Sequence, residues 1–446
     1  MNTHDVKRSY VALAAIVLLA LALRFAWLAR TDTVPPPLSD PQYYSATAQN
    51  LAEGRGYSVA VDARGFVAGP SGESTAFWPP GYPFALAPLY KLTDSDDRAA
   101  KALNAIAGAL TVLPIFYVGR RMSRRVRADA PNDGVALGAA LLFAVAPASI
   151  FWTATLFSET LFTFGVASTL AVALWAGARG SIGAYFAAGI VLAATAFVRS
   201  QGLVLIVPVL VLLAPAVSDE VGAALQAGRL RSISVRAAVR VLVPVLAGIA
   251  LLVVPWAARN EIAMGRPYVI NDNLGYNLRV ANAPYARGAT LAPQDLWDAR
   301  PGISFHEREL FFDDEGRSRA IAYAREHPGR ELQLAVLRVG WLMRSDAEPA
   351  VRWSESLGAT PIGRGHDAFV LAGDVYWYGL LALAAASLFM ARRDRLWLAL
   401  WSTVGVWIAL HLVFAGEPRY HVPLVPVLAL LAAATIVEAR TRLARP

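Results

Sequence analysis

The chain has 446 residues, 56% of them hydrophobic and 17% charged, with a mean hydropathy of +0.44, a composition that excludes a water-soluble globular protein. The net charge of +8 does not imply nucleic acid, because the basic residues gather in short segments between hydrophobic runs and so orient the chain in a membrane. Cysteine is absent, so no disulfide staples any part of the chain.

The first hydrophobic run spans about 10–29 and follows Lys7 and Arg8. It continues into Arg24 and Trp27 with no small-residue cleavage site, so it reads as a retained anchor with Arg24 snorkelling outward. Further runs lie at 97–118, 134–152, 156–177, 182–198, 202–217, 237–257, 372–390, 396–414 and 421–437. Each approaches the roughly twenty residues that cross a bilayer core, and backbone in lipid must be helical. The expected class is an all-α polytopic membrane protein with about ten transmembrane helices. Arg120, Arg121, Arg124, Arg125, Arg127, Arg179, Arg229, Arg231, Arg236 and Arg240 fall on one side, as do Arg392, Arg393, Arg395, Arg440, Arg442 and Arg445. That places both termini in the cytoplasm of an inner (plasma) membrane protein.

Two outer segments interrupt the rhythm. The first, 30–96, opens with Pro35, Pro36 and Pro37, too stiff for a helix. A short helix follows, with Asp40 as N-cap, Pro41 in its first position and Gly54 ending it. Tyr44, Ala48 and Leu51 share one face, which predicts an interfacial helix lying on the membrane surface. FWPPGYPFALAPLY reads as a broken segment dipping into the interface. The second outer segment, 258–371, begins with turns around short extended pieces, then becomes helical from about Arg317, with an amphipathic stretch HPGRELQLAVLRVGWLMR. The chain thus divides into an N-terminal transmembrane module (1–257) carrying the outer loop 30–96, an extracytoplasmic region (258–371) and C-terminal transmembrane helices (372–446).

Asp40, Glu159, Arg199, Arg259, Asn260, Glu417, Arg419, Tyr420 and His421 all fall at outer ends of spans, where charges reach interfacial water. The span centres carry few ionisable groups, unlike a proton or ion pathway. A site at the outer interface suits a substrate with a polar head and a lipid tail. Asp40 is the candidate general base, alongside its capping role. Arg199, Arg259 and Arg419 suit a phosphodiester, since guanidinium binds two oxygens and stays charged; each also reads as a boundary arginine facing lipid headgroups. Glu159 can pair with one of them, orient a donor or join a metal site, or simply favour the helix dipole. Tyr43, Tyr44, Trp78 and Tyr82 can stack on a sugar or anchor in the interface, and His421 is near enough to Arg419 to join them. Asp94, Ser95 and Asp96 form a D-x-D that reads as helix caps. His4, His306, His327, His366, His411 and His421 have no metal-ligand spacing, and no P-loop, nucleophile elbow or dinucleotide motif is present.

The same residues carry a resemblance. LRFAWL with DPQYYSATAQNLAEGRGYS, FWPPGYPFALAPLY, LFSETLF, VPWAARNEIAMGRPYVINDNLGYNLRVANAPYARG, EHPGRELQLAVLRVGWL and PRYHVPLVPVLALLAA follow in order over about residues 10–437. Together they resemble the GT-C fold glycosyltransferases, in the family 39-like branch with the protein O-mannosyltransferases and the lipid A aminoarabinose transferase. The resemblance implies an inverting enzyme taking a sugar from a polyprenyl-phosphate donor to an acceptor at the extracytoplasmic face. It places the first-loop acid at Asp40 and the donor-phosphate surroundings at Glu159, Arg199 and Arg259. Two positions depart from it: Asp40 is followed by Pro41 instead of a second acid, and Trp78 stands where some branches carry a basic residue. The acceptor stays open among glycan, lipid and protein, and no cofactor is required, with a divalent cation left open. A transporter or flippase of lipid-linked sugars, or a non-catalytic glycolipid-binding protein, is the alternative.

Overall fold

A computed structural model describes residues 3–31, 40–62, 67–126, 133–213, 233–300, 302–356, 365–390 and 394–443. The prolines 35–37, the end of the 202–217 run, and Arg127, Arg229, Arg231, Arg392, Arg393 and Arg445 lie outside them.

All ten hydrophobic runs are helical where described, but they differ in length. Six helices are long and apolar enough to cross a membrane, and a seventh span results if the bent pair Gly134–Ala144 and Pro147–Ala154 is counted as one. Helices α1 (Thr3–Leu28), α4 (Asp97–Leu110) with α5 (Val112–Val126), and α6 (Gly134–Ala144) with α7 (Pro147–Phe151) supply the first three runs. Helices α8 (Glu159–Arg179) and α11 (Ile233–Met264) are full length. Between them, α9 (Ile182–Val198) and α10 (Ser200–Leu213) are shorter apolar helices. Arg199 breaks the chain there: its extended φ and ψ of −151° and 128° end α9, and a 3₁₀ turn starts α10. About ten spans is therefore more than the described helices establish by length. The chain is a multi-pass membrane protein of helices.

Small residues bring α9 and α11 together, as expected where packing drives helix association in lipid. A Cβ on Gly189 would stand 2.1 Å from Val245 O, and one on Gly248 would stand 2.2 Å from Phe186 O. Leu18 and Phe25 on α1, and Leu246, Leu251 and Val254 on α11, remain exposed, which is the apolar face a bilayer covers. The last helix, α19 (Val425–Leu443), is the opposite case, with Val425 through Ala434 buried.

The outer segments depart most from the sequence reading. Helix α2 (Asp40–Ala52) buries Tyr43, Tyr44, Ala46, Thr47, Ala48 and Asn50, so protein encloses it on more than one face. It packs on α3 (Gly81–Thr93) and on an antiparallel hairpin, β1 (Ser58–Val61) with β2 (Val67–Ser74). The hairpin has no alternating signature in the sequence, because its Gly and Ser residues interrupt it, and its register is irregular from Val59 to Val61. Gly54 ends α2 with φ 78°, as expected. Asp94 is the left-handed C-cap of α3, and Asp96 caps α4 by accepting from Arg98 N, so the D-x-D is two caps.

Beyond α11 turns occupy 265–273 and 282–293, and helix begins earlier than Arg317: α12 (Leu274–Ala281), α13 (Gln294–Trp297), α14 (Phe305–Glu326), α15 (Pro328–Met343) and α16 (Ala347–Ser356), followed by α17 (His366–Ala386) and α18 (Arg395–His411). Ser304 and Glu307 form a capping box on α14, and Leu334, Arg338 and Leu342 are the buried stripe of amphipathic α15. Gly275 and Gly316 let α12 and α14 touch, since a Cβ on Gly275 would stand 1.9 Å from Asp313 O. A Gly275→Ala variant is expected to unfold at lower temperature, because overpacking costs about 1–3 kcal/mol. A thermal unfolding curve within a degree of wild type would refute this contact.

Candidate functional site

Three helix boundaries converge on one point. The start of α2 supplies Asp40, the start of α8 supplies Glu159, and the α9–α10 break supplies Arg199. A 3₁₀ segment, Pro418–Leu424, leads into α19 and supplies Arg419 and Tyr420. Such boundaries leave backbone and charged groups near the interface while the helices behind remain apolar.

The charges interlock. Arg199 Nη1 donates to Glu159 Oε1 at 2.7 Å and to Ser158 Oγ at 3.2 Å. Arg419 Nε lies 3.7 Å from the same Glu159 oxygen, and its Nη1 donates to Asp40 Oδ2 at 3.4 Å. Both guanidiniums lie over the Tyr420 ring, at 5.4 Å for Arg199 and 5.2 Å for Arg419, and Arg419 also lies 4.6 Å from the Phe157 ring centre. Glu159 is thus a buried bridge between two arginines, while Asp40 keeps 21% of its side chain exposed. Burial pushes the Asp40 carboxyl above the ordinary carboxylate range, and Arg419 holds it back. A carboxylate so poised can accept a proton nearer neutral pH than a free aspartate.

Asp40, Arg199 and Arg419 open onto a cavity of about 840 Å³ that is also lined by Tyr43, Tyr44, Trp78, Asn277, Trp297 and Tyr420. Tyr44 contacts Trp78 and Tyr82 edge-on, at 5.8 Å and 5.2 Å between centres. Tyr82 itself is fully buried behind this layer, where Asn104 Nδ2 donates to its hydroxyl at 3.0 Å. A second, more apolar cavity of about 490 Å³ shares Ser200, Gln201, Asn271, Asn273, Asn277, Thr290 and Tyr420 with the first and continues past Leu203, Val204, Leu410 and Phe414.

Two residues grouped with the site in the sequence stand elsewhere. Arg259 donates to Thr75 O at 2.7 Å and Tyr57 O at 2.6 Å, clamping the two ends of the hairpin. His421 is fully buried and stacked on Trp377 at 3.6 Å; its Nδ1 pairs with Leu342 O at 2.8 Å. Its Nε2 lies 3.3 Å from Asp346, which accepts from Trp152 Nε1 at 2.7 Å. Arg24 does not snorkel: it is fully buried, with Nη1 donating to Ala20 O and Ala144 O. The wall formed by α12, α13 and the first half of α14 leaves little trace in the sequence: the Asn run NDNLGYN reads as turns, and helical character shows only from about Arg317, inside α14.

A buried carboxyl pair holds that wall to the first outer loop. Glu309 accepts from Thr75 Oγ1 and, at 3.2 Å, from Ala76 N, while Asp272 N donates to Ala76 O at 3.1 Å. Burial, and the negative charge of Asp313 nearby, push Asp272 up to about 7 against a hydrogen bond with Glu309 that holds it down, and Glu309 is raised well above its ordinary value by burial and by Asp272. Both folded values exceed the unfolded ones, so the folded state holds the shared proton more tightly. Stability from this pair is full below the ordinary carboxylate value and is lost as pH rises through about 7. The melting temperature of wild type is expected to fall between pH 5 and 8 more steeply than that of Asp272→Asn. Parallel pH profiles would refute it.

The four charges at the floor are two carboxylates and two guanidiniums. This set does not fit a divalent cation, because Glu159 is engaged by both arginines and Asp40 by one. Among the described residues no group of three or more His, Asp or Glu side chains could hold a metal ion.

No protein-family model and no curated protein matches this chain. Solved structures do. The Archaeoglobus fulgidus oligosaccharyltransferase, solved with Zn and sulfate, matches 97% of this chain at 17% identity, with a TM-score of 0.51. The same archaeal enzyme, AglB, solved with an inhibitory peptide and a dolichol-phosphate, matches 97% at 16% identity, with a TM-score of 0.52. The chain has the GT-C fold. It spans about half the length of these archaeal chains, 49% and 50%. ArnT from Cupriavidus metallidurans, bound to undecaprenyl phosphate, matches 95% of the chain and 77% of its own at 16% identity, with a TM-score of 0.36.

Proposed function

We propose that this GT-C protein is an inverting glycosyltransferase that takes a sugar from a polyprenyl-phosphate donor at the extracytoplasmic face of the inner membrane, with both termini cytoplasmic. The observation that carries the reading is the pairing of a partly exposed, upshifted Asp40 with Arg419 at the floor of the cavity. The apolar cavity beside it suits the first isoprene units of the donor lipid. Residues 1–257 then form the catalytic transmembrane module, with 258–371 as its outer cover and 372–446 returning Arg419 to the site.

In this mechanism the donor phosphate displaces the loose Arg419–Asp40 contact and takes hydrogen bonds from Arg419 and Arg199. Glu159 keeps both guanidiniums oriented. Asp40 accepts the proton of the acceptor hydroxyl as its oxygen bonds to the anomeric carbon from the face opposite the phosphate. The anomeric carbon–oxygen bond to phosphate breaks, and its electron pair stays on the polyprenyl phosphate, whose charge the arginines stabilise. One displacement inverts the anomeric configuration.

The test is mass spectrometry of lipid-linked sugars in cells lacking the gene, complemented with wild type or Asp40→Asn. Accumulation of a polyprenyl-phosphate sugar that wild type clears and Asp40→Asn does not is the expected result. An unchanged lipid profile in the deletion would refute the transferase reading.

A further inference from the structure

Helix α15 carries three stripes. Leu334, Arg338 and Leu342 are buried in the protein. Gln333 and Arg344 are exposed and, with half-buried Arg330, make a polar rim. Between rim and buried stripe run Leu332, Val336, Val339 and Met343, spaced i, i+4, i+7 and i+11, which is one continuous face of a helix. Leu332 and Val336 are 72% and 68% exposed, and a Cβ on Gly340 beside them would meet nothing within 4 Å. A surface helix in water needs one apolar stripe, the one turned to its core. A second stripe, left uncovered, calls for another apolar neighbour.

The end of α15 shows which neighbour that is. Helix α17 belongs to the candidate span His366–Phe389, and its residues Leu371, Val375 and Tyr378, spaced i, i+4 and i+7, are exposed as the lipid-facing stripe of a span must be. Ser345 N, just past α15, donates to the Tyr378 hydroxyl at 3.4 Å, and Trp377 Nε1 donates to Met343 O at 2.9 Å. Trp377 and Tyr378 are the middle residues of that span, so the end of α15 is held at the level of the bilayer and meets the α17 stripe there. Trp341, with the Arg344 guanidinium 5.2 Å from its ring centre, supplies the aromatic and cationic groups that favour a membrane boundary.

We propose that α15 is an interfacial helix, with its Leu332–Val336–Val339–Met343 face covered by the acyl chains of the leaflet it meets and its polar rim at headgroup level. The bilayer is the partner because the uncovered face ends where the lipid-facing stripe of α17 passes. Arg338, on the buried stripe, donates to Ala281 O at 2.7 Å and to Leu412 O at 2.6 Å. It thereby ties α12 and the end of α18, two walls of the second cavity, to a helix seated in lipid. The proposal stands apart from the transferase reading and is tested without an activity.

The chain contains no cysteine, so Leu332→Cys, Val336→Cys and Gln333→Cys each carry a single thiol. Each full-length variant, matched to wild type in thermal unfolding, is spin-labelled and reconstituted in nanodiscs of phosphatidylethanolamine and phosphatidylglycerol. Collision rates are then measured with oxygen, which concentrates among acyl chains, and with a polar nickel chelate, which stays in water. The ratio of oxygen to nickel collisions is expected to be severalfold higher at 332 and at 336 than at 333 on the polar rim. Either of the first two positions suffices should the other variant fail to fold. Nickel collisions at 332 and 336 equal to those at 333 would put the face in water and overturn the proposal. Protection of 332 and 336 from both reagents would overturn it in favour of a protein cover, such as a second copy of this chain.

Discussion

Asn at position 40 is expected to lower turnover by about 10²–10⁴-fold, the usual worth of a general base, while leaving donor binding intact. The substitution keeps the size of the side chain and its hydrogen bond to Arg419 but removes the ability to take a proton. Donor affinity should hold or rise, because a negative charge 3.4 Å from Arg419 has gone. The loss therefore appears in kcat and not in KM. The wild-type pH profile carries the same information. As the proposed base, Asp40 acts when ionised, and its carboxyl is raised above the ordinary aspartate value, so the rate is expected to fall as pH drops through that raised value and to be full above it. Asp40→Glu should restore part of the rate; Asp40→Asn turning over within tenfold of wild type would remove Asp40 from the chemistry.

Arg419→Gln is the second large effect. One charge-stabilising donor aimed at a leaving group is worth about 10²–10³-fold, and Arg419 also separates Asp40 from Glu159. Its replacement should weaken binding of undecaprenyl phosphate as well as slow transfer, the signature that divides it from Asp40. Arg419→Lys should recover little, since an ammonium cannot bridge Glu159 and Asp40 while lying on Phe157 and Tyr420. Thermal unfolding guards the reading, because Glu159 would be left with Arg199 alone. Arg419→Gln binding undecaprenyl phosphate within threefold of wild type would place the phosphate elsewhere.

The predicted site divides by distance along the chain. Asp40, Glu159, Arg199 and Arg419 are legible because a charge at the edge of an apolar run stands out against lipid, where stranding it is costly. Arg259 and His421 share that signature and have structural roles, binding Tyr57 O and Thr75 O in one case and Leu342 O in the other. Composition cannot tell a guanidinium spent on backbone carbonyls from one facing a cavity. Arg24 misleads for a related reason: snorkelling is open to an arginine facing lipid, but α6 covers it and Ala144 O accepts from it.

What the sequence determined by itself is the membrane-embedded helical class and the positions where helices stop, because both follow from local properties: apolar length, proline, glycine and charge. Tertiary structure alone decided which of those ends meet. It joined Asp40 to Arg419 across 379 positions, buried α2 between a hairpin and α3, and made helix α12 from residues that read as turns. The physical reason is that hydrogen bonds, ring contacts and buried carboxyl pairs between distant segments leave no periodic trace in a single chain, whereas the bilayer imposes its thickness on each segment separately.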